Sequence, residues 1–407
     1  MTLLPGDDET GARPDDAALR ARAIVFLSIA AFASAATTRI CDALLPMLAH
    51  DFRATVGEAA IVIAAYSATY GLLQPAFGFF GDRVGKYPMV LASCLLTLAA
   101  TLGCALAGSL EGLTMARLAA GASAAGIVPL GLAWIGDVTP YADRQAAIAR
   151  YMSGPVLGFI AGLALGGVIG EALGWRAAFH AIAMVYAVVI VGLWFQLRAN
   201  PAAGHSVADA PAPRFLAALT SILSRAQARA VLIAVFLEGA FCFGALAYVT
   251  AMLHTRFGMG FGAAGLTLAA FGLGGLAYSL AARRIIDRLG ERGVVLAGGG
   301  LFLIAFAILA ATPVVALAPL ACFLVGGGFY CMHNVLQVNA TQLAPAARAT
   351  GVGIFATCLF LGQSAGAALA APVFDRHGAT PVFATSALAL PLIAAFIVYR
   401  VAGRSAQ

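Results

Sequence analysis

Four ionisable residues interrupt stretches of chain that are otherwise apolar: Arg39, Asp42, Arg117 and Glu238. An ionisable group inside a membrane span costs at least about 2.5 to 3.5 kcal/mol, so each is a candidate for function. Arg39 and Asp42 stand three residues apart, which on a helix places them on one face within reach of each other. Arg117 lies at a matching depth in its own segment, so the three can form a charged cluster that handles a polar solute or a proton. The competing reading is a static ion pair that holds two helices together. Glu238 has no arginine within a helical turn, and a lone carboxylate exchanges a proton more readily than one pinned by arginine. We rank Glu238 above Asp42 as proton carrier, against the plainer alternative of a carboxyl bonded to a backbone carbonyl.

Weaker candidates surround these. His333, Asn334 and Gln337 fall at i, i+1 and i+4, so His333 and Gln337 share a helical face. A satisfied polar contact competes there with a proton relay or a substrate ligand. Cys331 and Met332 lie beside them without a second metal-type cluster, and we expect no metal. Tyr66, Tyr70 and Gln74, at i, i+4 and i+8, make a polar-tipped stripe that either lines a cavity or packs between helices.

The elements that must position these groups are membrane helices. Of 407 residues, 62% are hydrophobic and 10% charged, against about 25% charged in a soluble domain. A hydrocarbon core about 30 Å thick needs roughly 20 apolar residues in helical form. Repeated blocks of that length favour an all-α bundle over a barrel. We read twelve spans, including a seventh at Ala230–Leu253, an eighth at Ala263–Ala282 and a ninth at Val294–Ala311. They divide the chain into an N-terminal tail (1–21), a six-helix half (22–197), a polar linker (198–229), a second six-helix half (230–401) and a C-terminal tail (402–407). The tail before the first span is expected to be soluble. With the N-terminus inside, eighteen of the 24 Lys and Arg residues fall on the cytoplasmic side, which places both termini there. The net charge of +6 is thus a topology signal, and we expect no nucleic-acid partner.

The halves repeat. Asp82, Arg83, Gly85 and Pro140 recur as Asp287, Arg288, Gly290 and Pro345, 205 residues on. Arg144, Gly158, Gly162, Gly174 and Phe179 recur as Arg348, Gly362, Gly366, Gly378 and Phe383, 204 residues on. Parallel repeats of this kind place a substrate cavity at their interface, with one half rocking against the other. None of the in-span charges recurs. At the 205 offset, Asp42 falls on Ala247, Arg117 on Cys322 and Glu238 on Ala33.

Twelve spans, the 6+6 repeat, a polar central loop and GFFGDRVGK after the second span together resemble the major facilitator superfamily. Gly78, Asp82, Arg83, Gly85 and Lys86 match its motif A, with Tyr87 and Pro88 in place of the basic residues usual at its end. Arg117 and Gly121 look like motif B. Gly154, Pro155 and Gly158 look like the core of motif C, which is associated with antiporters, with Arg150 and Tyr151 where an upstream glycine is usual. The segments FYCMHNVLQVNATQLAP and LFLGQSAG resemble bacterial drug:proton antiporters and arabinose-efflux-like permeases.

The resemblance implies proton-coupled efflux of a small organic molecule through an inner-membrane, multi-pass, monomeric protein whose partners are substrate, protons and lipid. It also implies a cytoplasmic latch in which Asp82 meets the start of the eleventh span near Arg348 and Lys86 pairs with Asp137. A second latch of Asp287, Arg288 and Gly290 differs by carrying Glu291 in the place of Lys86. Import of an organic anion, with Arg39 and Arg117 as carboxylate ligands, is the alternative within transport. A non-transporting receptor or scaffold is the alternative outside it. No GxSxG, HExxH or P-loop is present, and we expect neither an enzyme nor a cofactor.

Overall fold

The computed structural model describes residues 14–199, 215–343 and 348–401, and among them every regular element is helical. The N-terminal part comprises α1 (Pro14–Asp51), α2 (Val56–Ala59), α3 (Ile61–Val84), α4 (Lys86–Leu106), α5 (Leu110–Ala124), α6 (Ile127–Val138), α7 (Tyr141–Leu173) and α8 (Trp175–Ala199). The rest comprises α9 (Phe215–Ser224), α10 (Ala226–Glu238), a π-helical turn (Gly239–Phe243), α11 (Gly244–Leu246), α12 (Val249–Phe257) and α13 (Phe261–Ala311). A 3-10 turn (Val315–Leu317), α14 (Ala318–Ala340), α15 (Arg348–His377) and α16 (Ala379–Arg400) follow. Among the described residues, eleven helical stretches are long and apolar enough to cross a membrane.

Helix starts carry their own signals. Thr55 and Glu58 form a reciprocal capping box ahead of α2, and Ser109 caps α5 through the amide of Gly112. The 51 residues of α13 would measure about 75 Å if straight, more than twice a hydrocarbon core. The chain breaks within them at Gly290, whose φ of 63° and ψ of 174° leave the helical region. Gly85 ends α3 in the same way with φ 103°, a value that side chains with a Cβ seldom adopt.

Three expectations gain detail. The linker assigned to residues 198–229 carries α9, and α10 begins within it at Ala226. Within the tail assigned to residues 1–21 the chain is helical from Pro14 onward. The seventh span is not one regular helix, since a π turn follows Glu238 and a further break separates α11 from α12.

The two parts of the chain pack alike. A Cβ at Gly158 on α7 would collide with the Phe32 carbonyl of α1, and one at Gly362 on α15 would collide with the Phe236 carbonyl of α10. Gly162 meets Ala36 as Gly366 meets Ala240, and Gly121 meets Tyr66 as Gly326 meets Phe271. Small residues permit this backbone contact in lipid. The contacts also revise the register, because Phe32 and Phe236 are 204 residues apart. On that register Glu238 corresponds to Ser34 and Asp42 to Leu246, and neither counterpart carries charge. Across the seam between the two parts, α3 packs on α15 and α7 on α13.

Candidate functional site

Helix α1 carries Arg39 and Asp42 to the seam. Arg39 Nη1 lies 3.2 Å from Asp42 Oδ2, and the residues are 4% and 1% exposed. Arg39 Nη2 donates to Gln363 Oε1 on α15 at 3.1 Å, and Gln363 Nε2 returns to Ser67 Oγ on α3 at 2.9 Å. A polar chain Asp42–Arg39–Gln363–Ser67 therefore crosses the seam and comes back. The guanidinium also lies over the rings of Phe243 at 4.1 Å and Phe159 at 4.8 Å. Asp42 Oδ1 and Arg39 Nε are buried without a protein partner. Gln363, fully buried, had no role assigned from sequence; a glutamine in the middle of LFLGQSAG was the available signal.

The hydrogen bonds of Arg117 go to backbone rather than to Asp42. Its Nη1 donates to the Thr37 carbonyl at 2.8 Å and its Nε to the Val62 carbonyl at 3.3 Å, while the guanidinium lies 4.0 Å from the Tyr66 ring centroid. Thr37 lies five residues before Asp42, about 7.5 Å along α1, so Arg117 meets backbone first. Gly121, one turn on, brings α5 against the backbone of α3 and sets this position. The tyrosine stripe packs between helices. Tyr66 accepts from Thr38 Oγ1 at 3.1 Å and stacks on Tyr70, which reaches across the seam to Phe360 at 4.5 Å. Gln74 is half-buried, with its Oε1 lacking a protein partner.

Glu238, with no arginine within a helical turn, meets His333 from another helix. The Nδ1 of His333 on α14 is 2.8 Å from Glu238 Oε2, and Glu238 is fully buried. Spacing within α10 could not reveal a partner 95 residues away on another helix. Glu238 Oε1 has no protein partner. The carboxylate ends α10 where the π turn begins, with Gly239 against the Leu359 carbonyl. Such turns inside α-helices concentrate at functional sites. Asn334 is half-buried and Gln337 exposed, so the structure brings together only His333 and Glu238 from this group.

The two charged centres touch a common set of rings. Arg39 lies over Phe243, Phe243 packs on Phe329 with centroids 4.9 Å apart, and Phe329 stacks on His333 at 4.6 Å. Phe243 is the last residue of the π turn, so that turn joins both centres.

At the opposite end of α3, Lys86 Nζ is 2.5 Å from Asp137 Oδ2 and 3.8 Å from Asp82 Oδ1. Arg83 is exposed, and Gly78 faces open space. The partner expected for Asp82 around Arg348 falls among side chains outside the described set. In the second turn Asp287 pairs with Arg283 at 3.9 Å and Arg288 is exposed. Glu291 there accepts from Asn339 at 3.2 Å. Gly154 and Gly158 flank Pro155 on α7 and bring it against the Ser28 and Phe32 carbonyls of α1. Among the described residues, no three His, Cys, Asp or Glu side chains converge as a metal site would require.

The profile of the Major Facilitator Superfamily matches residues 27–367. The uncharacterized MFS-type transporter YwfA of Bacillus subtilis is 26% identical over 65% of this chain and 64% of its own length. MdtD of Salmonella paratyphi B, named for multidrug resistance, is 30% identical over 36% of this chain and 32% of its own. The matches thus span less than two thirds of these relatives' length. The human organic anion transporter MFSD10 superposes with a TM-score of 0.69 and 18% identity, over 93% of this chain and 99% of that one. The nucleoside transporter NupG does so with a TM-score of 0.74 and 14% identity, over 93% and 98%. At these identities the likeness is one of fold.

Proposed function

The chain belongs to the major facilitator superfamily and is a multi-pass membrane transporter, and on that premise we propose that it exports a small organic molecule in exchange for protons. We read α13 as two spans broken at Gly290, which makes twelve in two halves of six (22–197 and 230–401), joined through residues 198–229. Both termini face the cytoplasm, and the protein works as a monomer in the inner membrane. The Gly85 and Gly290 turns then lie on the cytoplasmic side.

The observation that carries this reading is the polar chain Asp42–Arg39–Gln363–Ser67, because it ties charge to the contact between the moving halves. Neutralising Asp42 frees Arg39, and a freed Arg39 changes what holds α1 to α15. Glu238 is the proton carrier and His333 its partner. A proton on Glu238 removes the charge that His333 meets, and the movement passes through Phe329 and Phe243 to Arg39. Phe159, Phe243, Phe271 and Phe329 give the substrate an apolar, aromatic surface.

Export is supported by the Gly154–Pro155–Gly158 segment and by the name of MdtD. Import of an organic anion would call on Arg39 and Arg117, which already bond Asp42 and Gln363 and two backbone carbonyls respectively, though Arg39 Nε and Arg117 Nη2 keep no protein partner.

Purified protein is first screened for ligand-induced proton release against cationic, neutral and anionic solutes. The solute that releases protons is then followed in proteoliposomes. Glu238→Gln is expected to keep solute exchange at equal pH and to lose acceleration by a pH gradient. A folded variant still driven by the gradient removes Glu238 as the carrier.

A further inference from the structure

The rim opposite the Gly85 turn carries two hydrogen-bonded crossings between the halves. Asp375, near the end of α15, accepts from the Gly57 amide through Oδ1 at 2.8 Å and from Thr55 Oγ1 through Oδ2 at 2.6 Å. Glu171, near the end of α7, accepts from the Gly262 amide through Oε2 at 2.7 Å. In each case a carboxylate of one half meets the first turn of a helix in the other. Unpaired amides at a helix start favour an acid there.

These crossings are copies of one another. Glu171 and Asp375 are 204 residues apart, and Gly57 and Gly262 are 205 apart, the same offsets that relate the two halves. Glycine leaves room for the carboxylate at both receiving positions: a Cβ at Gly57 would meet Asp375 and the Ala371 carbonyl, and one at Gly262 would push on the Glu171 carboxylate. The copies differ in one respect. Thr55 corresponds to Gly260, so the Asp375 crossing has a hydroxyl bond that the Glu171 crossing lacks. Both carboxylates lie in the last turn of helices long enough to cross a membrane, and both are exposed at the rim.

We propose that Asp375 and Glu171 form a paired latch that closes the outer rim and sets how often the transporter opens outward. Opening must break both crossings at once, since each joins the two bodies that rock apart. The proposal rests on the rocking of the halves described above but on neither substrate nor coupling ion. Losing both crossings shifts the balance toward the outward-open state by about 10-fold, a modest figure because exposed charges are screened. Asp375→Ala shifts it further than Glu171→Ala, because two bonds are lost rather than one.

The test is the distance distribution between spin labels at Leu106 and Val314, exposed positions at this rim on opposite halves, attached through an unnatural amino acid to spare the native cysteines. Labelled wild type, Asp375→Ala, Glu171→Ala and the double variant are compared in lipid discs, without substrate or pH gradient. A longer-distance population that grows in the order Glu171→Ala, Asp375→Ala, double variant is expected. Unchanged distributions in monodisperse double variant overturn the latch. An equal shift from Asp51→Ala also overturns it, because Asp51 bonds Trp175 and Arg176 within one half and reports only the loss of surface charge. The outcome is separate from that of the export reading, which is decided by transport alone.

Discussion

Replacing Gln363 by leucine removes the middle of the polar chain while leaving the packing volume of α15 nearly unchanged. Two bonds disappear, one from the Arg39 guanidinium at 3.1 Å and one to Ser67 at 2.9 Å, both across the seam. A hydrogen bond involving a charged group contributes about 1.5 to 3 kcal/mol and a neutral one about 0.5 to 1.5 kcal/mol. Their sum, about 2 to 4.5 kcal/mol, falls entirely on the state in which the halves meet at this level. Water reaching Arg39 when the halves part returns some of it, which leaves a shift of roughly 10- to 30-fold toward the outward-open state. The Leu106–Val314 distance distribution reads that shift directly. Ser67→Ala is the internal gauge: Ser67 keeps no more than a neutral bond to Gln363 and also donates to the Ile63 carbonyl at 2.9 Å, so its loss moves the balance by about fivefold or less. A folded Gln363→Leu protein with a distribution within twofold of wild type refutes the idea that this chain couples the halves.

Two further outcomes follow from the packing. Arg117→Ala removes two buried bonds to carbonyls of α1 and α3 and a ring contact, so the variant loses about 2 to 4 kcal/mol. Its thermal unfolding in detergent drops by several degrees, and an unchanged melting temperature removes Arg117 from its clamping role. Gly326→Val and Gly121→Val each drive a branched side chain into a backbone carbonyl of the neighbouring helix. Both are expected to lower the yield of monodisperse protein to a similar degree, and normal behaviour of either contradicts the close approach.

Much of this molecule is legible in one dimension because lipid imposes a strong rule: spans must be long, apolar and helical. The contact of Arg39 with Asp42 can be read from spacing, since neighbours on one helix are set by its period. Partners on different helices are not encoded that way. Glu238 and His333 meet only because α10 and α14 pack together, and Gln363 reaches Arg39 only because α15 crosses the seam. Matching depth placed Arg117 near the α1 pair, but not the carbonyls of Thr37 and Val62 that it bonds, because backbone acceptors leave no mark in the sequence. The π turn after Glu238 escaped because Gly239 and Ala240 read as ordinary small residues of a membrane helix. Glu171 and Asp375 escaped because rim acids look like surface charge until their partners are known.

The repeated packing has a consequence for how such a protein could have come about. A chain made of two identical copies of the first half would keep the glycine contacts, yet it would hold two Arg39–Asp42 pairs and no counterpart of the buried Glu238–His333 pair. A doubled second half would hold the reverse. Either ancestor could fold and rock, but it would have a single kind of charged centre, placed twice, with nothing different for it to speak to across the seam. Exchange of one species for another therefore asks for divergence at a few positions, Ser34 against Glu238 and Asp42 against Leu246 among them, on a frame that needed none. One of the two slips between the registers falls between Pro140 and Arg144, at the start of α7, where an extra residue lengthens a turn. Within a span it would swing every later side chain by about 100° and turn the glycine seam toward lipid.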